Sequence, residues 1–338
     1  MYFTKKKFIA AMVVALGLLS GCSSGAKSTK SPAAAPKTMY KVGIVQHVQH
    51  NALDAANKGF VDGLAANGFK ERDNLELDSQ NGQGALSTLQ AITQRFVNNK
   101  VNLICAIATP AAQTAASATR DIPIVGTAIT DYKAAKLVKE NDHPGTNVTG
   151  TTDLNPLAKQ LDLLQRLVPK AKTIGLLYNG SEINSAAQAQ AMKDLALKRN
   201  LLLKEFTVAS INDVPQAAES LVQAGVDVVY VPTDNVMASA MPVLVRITNE
   251  AEIPVICGES GMVKQGALAT IGIDYYRLGV QTGAMAAKIL KGEAKPQTMP
   301  IEMQKEMKVT LNETEAELLG IRLPEDLLKQ AELVHMKK

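Results

Sequence analysis

The sequence predicts an α/β protein made of two similar doubly wound parallel-sheet lobes joined by a hinge. Three observations predict it. Short β-branched runs alternate with longer helical patterns from Tyr40 onward, the whole series returns after Thr151, and matching dipeptides recur at matching places in the two halves. Strands separated by helices on this rhythm form right-handed βαβ units and hence a parallel sheet.

In the first half, Lys41–Val45, Leu75–Ser79, Asn102–Ala106 and Ile122–Gly126 read as strands. Ala52–Asn67, Ala85–Asn98 and Ala111–Thr119 read as the helices between them. In the second half the strands are Thr173–Tyr178, Leu202–Phe206, Asp227–Val231 and Ile253–Cys257, with helices at Ile183–Leu197, Val214–Ala224 and Asn235–Asn249. Val42-Gly43-Ile44-Val45 answers to Ile174-Gly175-Leu176-Leu177, and Ile122-Pro123-Ile124-Val125 to Ile253-Pro254-Val255-Ile256. Ala108-Thr109-Pro110 and Pro232-Thr233-Asp234 each follow a third strand. Two lobes of this kind place their strand ends around one gap, where open parallel sheets bind ligands. Crossings between lobes are expected near Asn147–Asp153, Ala269–Tyr275 and Glu306–Thr310, with Tyr276–Lys291 returning as a helix to the first lobe. The division is then 40–150 plus 275–304 for the first lobe, and 151–274 plus 305–338 for the second.

The N-terminal residues address the compartment. Lys5, Lys6 and Lys7 precede an apolar stretch from Phe8 to Leu19, and Leu19-Ser20-Gly21-Cys22 puts small residues before a cysteine. This is the pattern of a bacterial lipoprotein leader, 1–21, with Cys22 as the lipidated residue, and the apolar stretch is shorter than the roughly 20 residues of a spanning helix. Residues 22–39 are rich in Ser, Ala, Lys and Pro and read as a tether. The implied location is extracytoplasmic, anchored to the cell membrane by lipid alone.

Without that leader, 33 basic residues face 32 acidic ones, so the net charge of +4 is largely a property of the leader. No basic stripe interleaved with aromatics appears, which argues against nucleic acid. Cys105 and Cys257 each end an apolar run and read as small hydrophobes, and the 4 histidines lack metal-ligand spacing. Gly82-Gln83-Gly84 is a fragment of a dinucleotide motif, but it lacks a third glycine and follows the second strand. No nucleophile elbow or phosphate loop is present. The expectation is a binding protein without cofactor or metal, and not an enzyme.

The loops after the strands supply the candidate site. Thr109-Pro110-Ala111 opens a helix with free N–H groups at the positive end of its dipole, which suits a carboxylate or simply starts the helix. Tyr178, Asn179, Ser181 and Asn184 follow the second half's first strand, though Ser181 and Asn184 equally suit the helix start. Asp234 with Asn235, Glu259 and Asp274 bring carboxylates toward the gap, where they suit a cationic group or serve as helix caps. Gln46, closer to its strand end than His47 or His50, and Thr130 complete the set.

At these residues the chain resembles the tryptophan/tyrosine-type ABC transporter substrate-binding lipoproteins, a branch of the type I periplasmic binding proteins. The resemblance runs from Tyr40 to about Glu302. It is carried by Val42-Gly43-Ile44-Val45-Gln46, Ala108-Thr109-Pro110-Ala111-Ala112-Gln113, Tyr178-Asn179, Pro232-Thr233-Asp234-Asn235, Gly258-Glu259-Ser260-Gly261 and Ala269-Thr270-Ile271-Gly272-Ile273-Asp274-Tyr275. It implies a monomeric, hinged receptor for an aromatic or similarly apolar amino acid. The receptor would deliver its ligand to an ABC permease driven by a separate ATPase; a sensory lipoprotein signalling to a membrane receptor is the alternative. By resemblance, Thr109 and Ala111 would hold the ligand carboxylate, Asp234, Asn235, Glu259 and Asp274 the ammonium, and Tyr178 with Gln46 the side chain. His47, His50 and Ser260 depart from the family pattern. With no Trp and 4% aromatic residues, composition names no stacking cage.

Overall fold

The structure is a computed structural model, and it describes residues 38–335. The expected leader, Cys22 and nearly all of the tether lie outside the described residues.

The chain opens with β1 (Tyr40–Gln46), α1 (Asn51–Ala66), β2 (Leu75–Asn81), α2 (Leu86–Asn98) and β3 (Leu103–Ile107). It continues through α3 (Thr109–Ala118), β4 (Ile124–Ile129), β5 (Val148–Thr152) and α4 (Leu157–Leu167). The second half brings β6 (Thr173–Asn179), α5 (Ile183–Lys198), β7 (Leu202–Val208), α6 (Val214–Gln223), β8 (Val228–Val231) and α7 (Asn235–Glu250). Then come β9 (Val255–Cys257), α8 (Ser260–Val263), β10 (Ala269–Gly272) and α9 (Tyr275–Leu290). The chain finishes with β11 (Glu302–Met303), β12 (Lys308–Asn312), α10 (Glu313–Leu318), α11 (Glu325–Leu328) and β13 (Glu332–Val334).

Two sheets result, ordered β11-β5-β4-β3-β1-β2 and β13-β12-β10-β9-β8-β6-β7. The orders 2-1-3-4-5 and 7-6-8-9-10 are the same path traced twice. The pairings are parallel except β10 with β12. Central strands such as β3 and β8 are buried along their whole length, as sheets covered on both faces require. The repeated glycines have a packing reason. A Cβ on Gly43 would lie 2.6 Å from the Phe96 ring of α2, and one on Gly175 would lie 3.0 Å from Leu221 of α6. Each sits beneath the equivalent helix of its own lobe.

The chain passes between the sheets after β5, after β10 and after β11. These are the regions where crossings are expected, but they carry strands rather than bare connections: β5, β10 and β12. The expected strands at Ile122 and Ile253 begin two residues later, at Ile124 and Val255, because Pro123 and Pro254 have no N–H to give a ladder. Helix α4 is not among the expected elements, although Leu157, Leu161 and Leu164 are buried at helical spacing. Helix α9 returns to the first lobe and packs on α1 at backbone distance. A Cβ on Gly59 would collide with the Tyr276 carbonyl, and one on Gly279 with the Ala56 carbonyl. Cys105 and Cys257 are buried free thiols in separate lobes. Among the described residues no helix is long and apolar enough to cross a membrane.

Candidate ligand-binding site

In both sheets the strand order reverses at the first strand, between β1 and β3 and between β6 and β8. Ligands bind at such switch points, beyond the carboxyl ends of the strands. The loops concerned are those carrying His47 and His50, Thr109, Asn179 to Asn184, and Asp234, and they converge.

They enclose a small inner cavity of about 10 Å³ between the lobes. His50, Leu53, Ala128 and Thr130 line it from the first lobe; Asn184, Thr233, Asp234, Asn235 and Glu259 line it from the second. Asp153 and Tyr275, on the first two of the three crossing segments, also line it. Asn235 also lines a larger outer cavity of about 510 Å³, together with His47, Val48 and Pro110 on one side and Asn179, Ser181, Glu182 and Ile211 on the other. The lobes touch through these walls: His50 Nε2 donates to Asn235 Oδ1 at 3.2 Å.

Four carboxylates are buried here. Asp234 caps α7, accepting from Met237 N at 2.8 Å and from Asn179 N at 2.6 Å. Burial, with the neighbouring charge of Glu182, pushes its pKa up to about 7. Glu259 accepts from the N–H groups of Gly261 and Met262, yet burial still pushes it up to about 7. Burial also raises Glu182, against the pull of amide donors from Asn235, Asn184 and Asn179. Asp153 Oδ2 accepts from the Tyr275 hydroxyl at 2.8 Å, and burial raises its pKa as well. No lysine or arginine lines either cavity. The same burial lowers His47 and His50 to about 4, so both are neutral imidazoles at pH 7. The gap is thus lined by acidic groups with no lysine or arginine among them, an environment that suits a positive group.

Of the residues expected from sequence, Thr130, Asn184, Asp234, Asn235 and Glu259 line the inner cavity, and Asn179 and Ser181 line the outer one. Thr109 and Ala111 are buried at the start of α3, where Pro110 between them reaches the outer cavity. The other three are placed elsewhere. Gln46 is locked in a local network, donating to Val48 O at 2.9 Å and Asp54 at 2.7 Å and accepting from Asn57 at 3.0 Å. Tyr178 turns into the core of the second lobe and donates its hydroxyl to Glu205 at 2.5 Å. Asp274 caps α9 and lies beside Arg277, lining a separate cavity of about 300 Å³. Alternation explains Tyr178: as the penultimate residue of its strand it faces the opposite side from Asn179. Asp153, Tyr275, Thr233 and Glu182 are among the cavity residues that sequence reasoning did not single out. Among the described residues no group of three or more His, Cys, Asp or Glu is disposed to hold a metal.

Residues 41–335 match the family described as ABC transporter substrate binding protein. The chain belongs to that family. This substrate-binding protein is 42% identical over 317 residues to the tyrosine-binding protein of Clostridioides difficile strain R20291, covering 93% of this chain and 91% of the relative. It also superposes on an ABC domain in complex with L-Trp from Streptococcus pneumonia with a TM-score of 0.85 and 40% identity, over 88% of this chain and 100% of the other. Against the ligand-free, open structure of a substrate-binding protein with adhesive properties from Clostridium difficile, the identity is higher, 46%, but the TM-score lower, 0.69, at the same coverage of 88% and 100%. The two-lobed α/β fold is that of the type I periplasmic binding proteins.

Proposed function

We propose that this substrate-binding protein is the extracytoplasmic receptor of an amino-acid importer, capturing an aromatic L-amino acid such as tyrosine or tryptophan by closing its lobes. The observation that carries the reading is the acidic, cation-free gap formed by loops of both lobes, with an outer cavity of about 510 Å³ beside it. An α-ammonium group belongs at the acidic end, and the volume alongside is of the size that small ligands occupy. The ligand carboxylate belongs at the start of α3, where Thr109 and Ala111 present the positive end of the helix.

The relatives support the ligand class: one is named for tyrosine, another was solved with L-Trp. They also support hinge closure. This chain lies nearer the L-Trp complex than the open, ligand-free structure, although it shares more residues with the latter. The moving bodies are 40–150 with 275–304 and 151–274 with 305–338. The protein works as a monomer held to the membrane by lipid on Cys22. It passes its ligand unchanged, without cofactor, to a permease with a separate ATPase.

Calorimetric titration with L-tyrosine, L-tryptophan, L-phenylalanine and L-glutamate tests the reading. Saturable 1:1 binding of at least one aromatic amino acid, with none of glutamate, is expected. Absence of heat with all three aromatics contradicts it.

A further inference from the structure

Among the described residues, the buried carboxyl groups are the four at the gap and Glu315, which is 5% exposed and lies away from it in the second lobe. Glu315 is the third residue of α10, whose N-cap is Asn312. A glutamate at that position commonly reaches back to the N–H of the N-cap residue. Here the Asn312 N–H is already held in the sheet by Leu268 O at 2.9 Å. The Glu315 side chain turns inward instead, toward the last turn of α7, where Asn249 Nδ2 donates to its Oε2 at 3.1 Å.

That bond leaves one oxygen on each side chain unspent. Glu315 Oε1 and Asn249 Oδ1 are both buried without a hydrogen-bond partner. As a carboxylate, Glu315 has acceptors only, so two lone oxygens would be buried side by side, which is costly. No charge nearby relieves this. On α7 Arg246 bonds Glu250, Lys264 after α8 bonds Glu332 of β13, and Glu313 of α10 bonds His335. Glu252 and Glu317 are exposed. None of these cations reaches Glu315, whose pKa is pushed up by burial and pulled down only by the Asn249 bond. The N-terminus of α10 favours an anion and the C-terminus of α7 opposes one, so the helix ends offset each other.

We infer that Glu315 is a carboxylic acid in the folded protein, its Oε1–H donating to Asn249 Oδ1 while Asn249 Nδ2 donates to Oε2. One proton then satisfies both orphaned oxygens, and acid and amide form a closed pair of two bonds. The pair is a pH-sensitive latch. It joins α7, whose other end carries Asn235 at the gap, to α10, the first element of the C-terminal segment α10–α11–β13 that edges the second sheet. Acid and neutral solution keep the latch shut; loss of the proton in alkali removes one bond and leaves an unpaired buried charge. The device does not depend on which ligand the gap holds.

The test is urea unfolding of the whole protein, wild type against Glu315→Gln, from pH 4 to pH 8. Glutamine keeps a donor and an acceptor at every pH and so stands in for the protonated acid, while all other titrating groups cancel in the comparison. A carboxyl whose folded pKa lies above its ordinary 4.5 contributes fully below that value and loses its contribution as pH rises through the folded one. The folding constant of Glu315→Gln relative to wild type should therefore grow above pH 4.5, by up to about tenfold per pH unit, and then level off. A ratio that stays flat or falls as pH rises overturns the latch and means an ionised Glu315, with water bridging the two oxygens. If Glu315→Gln does not fold, a carbon NMR titration of the Glu315 carboxyl in wild type decides. Titration above pH 4.5 supports the latch, and titration at or below it overturns it.

Discussion

His50 and Asn235 join the two lobes through one hydrogen bond, Nε2 to Oδ1, at 3.2 Å. His50 sits at the start of α1 and Asn235 at the start of α7, so the contact spans the gap rather than stitching one lobe. Asn235 is also held within its own lobe, donating its side-chain amide to Glu182.

Replacing His50 by Ala removes this bond and leaves Asn235 Oδ1 without its donor. A buried hydrogen bond of this kind contributes about 1 kcal/mol, and the substitution also removes an acceptor from the inner cavity. L-Tyrosine affinity should fall by about tenfold or more, read by calorimetry, while the unfolding midpoint in urea stays close to wild type.

Acid should weaken binding. Burial between the closed lobes holds His50 near 4, below its ordinary value of 6.5, whereas an open gap returns it toward that value. A group whose pKa is depressed favours the closed form fully above the higher value and loses that contribution as pH falls through the window, here from 6.5 toward 4. His47 shifts in the same direction and Asp54 opposes it weakly. Asp153, raised by burial, must ionise to hold an ammonium, which again disfavours binding in acid. Asp234 and Glu259, raised to about 7 by burial in the same gap, are favoured as carboxylates by a bound ammonium, which disfavours binding in acid in the same direction. Affinity for L-tyrosine measured from pH 8 to pH 4 should therefore hold above about 7 and decline below it. An affinity that rises toward pH 4 contradicts this.

Asp234 should matter more for stability than for recognition. Its two oxygens serve Met237 N and Asn179 N, so Asp234→Ala removes a helix cap and strands a buried N–H, costing about 2 kcal/mol in urea unfolding. The preference for L-tyrosine over its deaminated analogue should survive in the folded fraction.

The α1–α9 contact predicts a different failure. Gly279 meets the Ala56 carbonyl with no space for a Cβ, and Gly279→Leu should destabilise the protein by about 3 kcal/mol by overpacking. Tyr178→Phe is the contrasting change. It removes only the bond to Glu205, outside the gap, and L-tyrosine affinity should stay within about twofold of wild type.

Much of this was legible in the sequence, for definite reasons. The duplication shows because each lobe needs the same buried strands, and even Gly43 and Gly175 recur because each lies under a helix. Asp234, Asn235 and Glu259 were legible because polar residues just after a buried strand stand at the carboxyl edge. Asp153 was not. It follows Val148-Thr149-Gly150-Thr151-Thr152, whose threonines and glycine read as a connection, although the segment is a buried strand. Sequence left Asp234, Glu259 and Asp274 open between ligand contacts and helix caps, and all three cap helices. That depends on which oxygens find backbone N–H groups, and only the packed structure decides it. The same holds for Gln46, whose strand-end position suits a ligand but whose amide is taken by Asp54 and Asn57.

Small-angle scattering of the protein titrated with L-tyrosine measures capture by closure most directly. The radius of gyration should contract as ligand is added and saturate at one equivalent, and Asp153→Asn should require far more ligand for the same contraction. Saturable binding of L-tyrosine with an unchanged radius would mean that the lobes do not close on it, and the ligand would have to sit outside the gap.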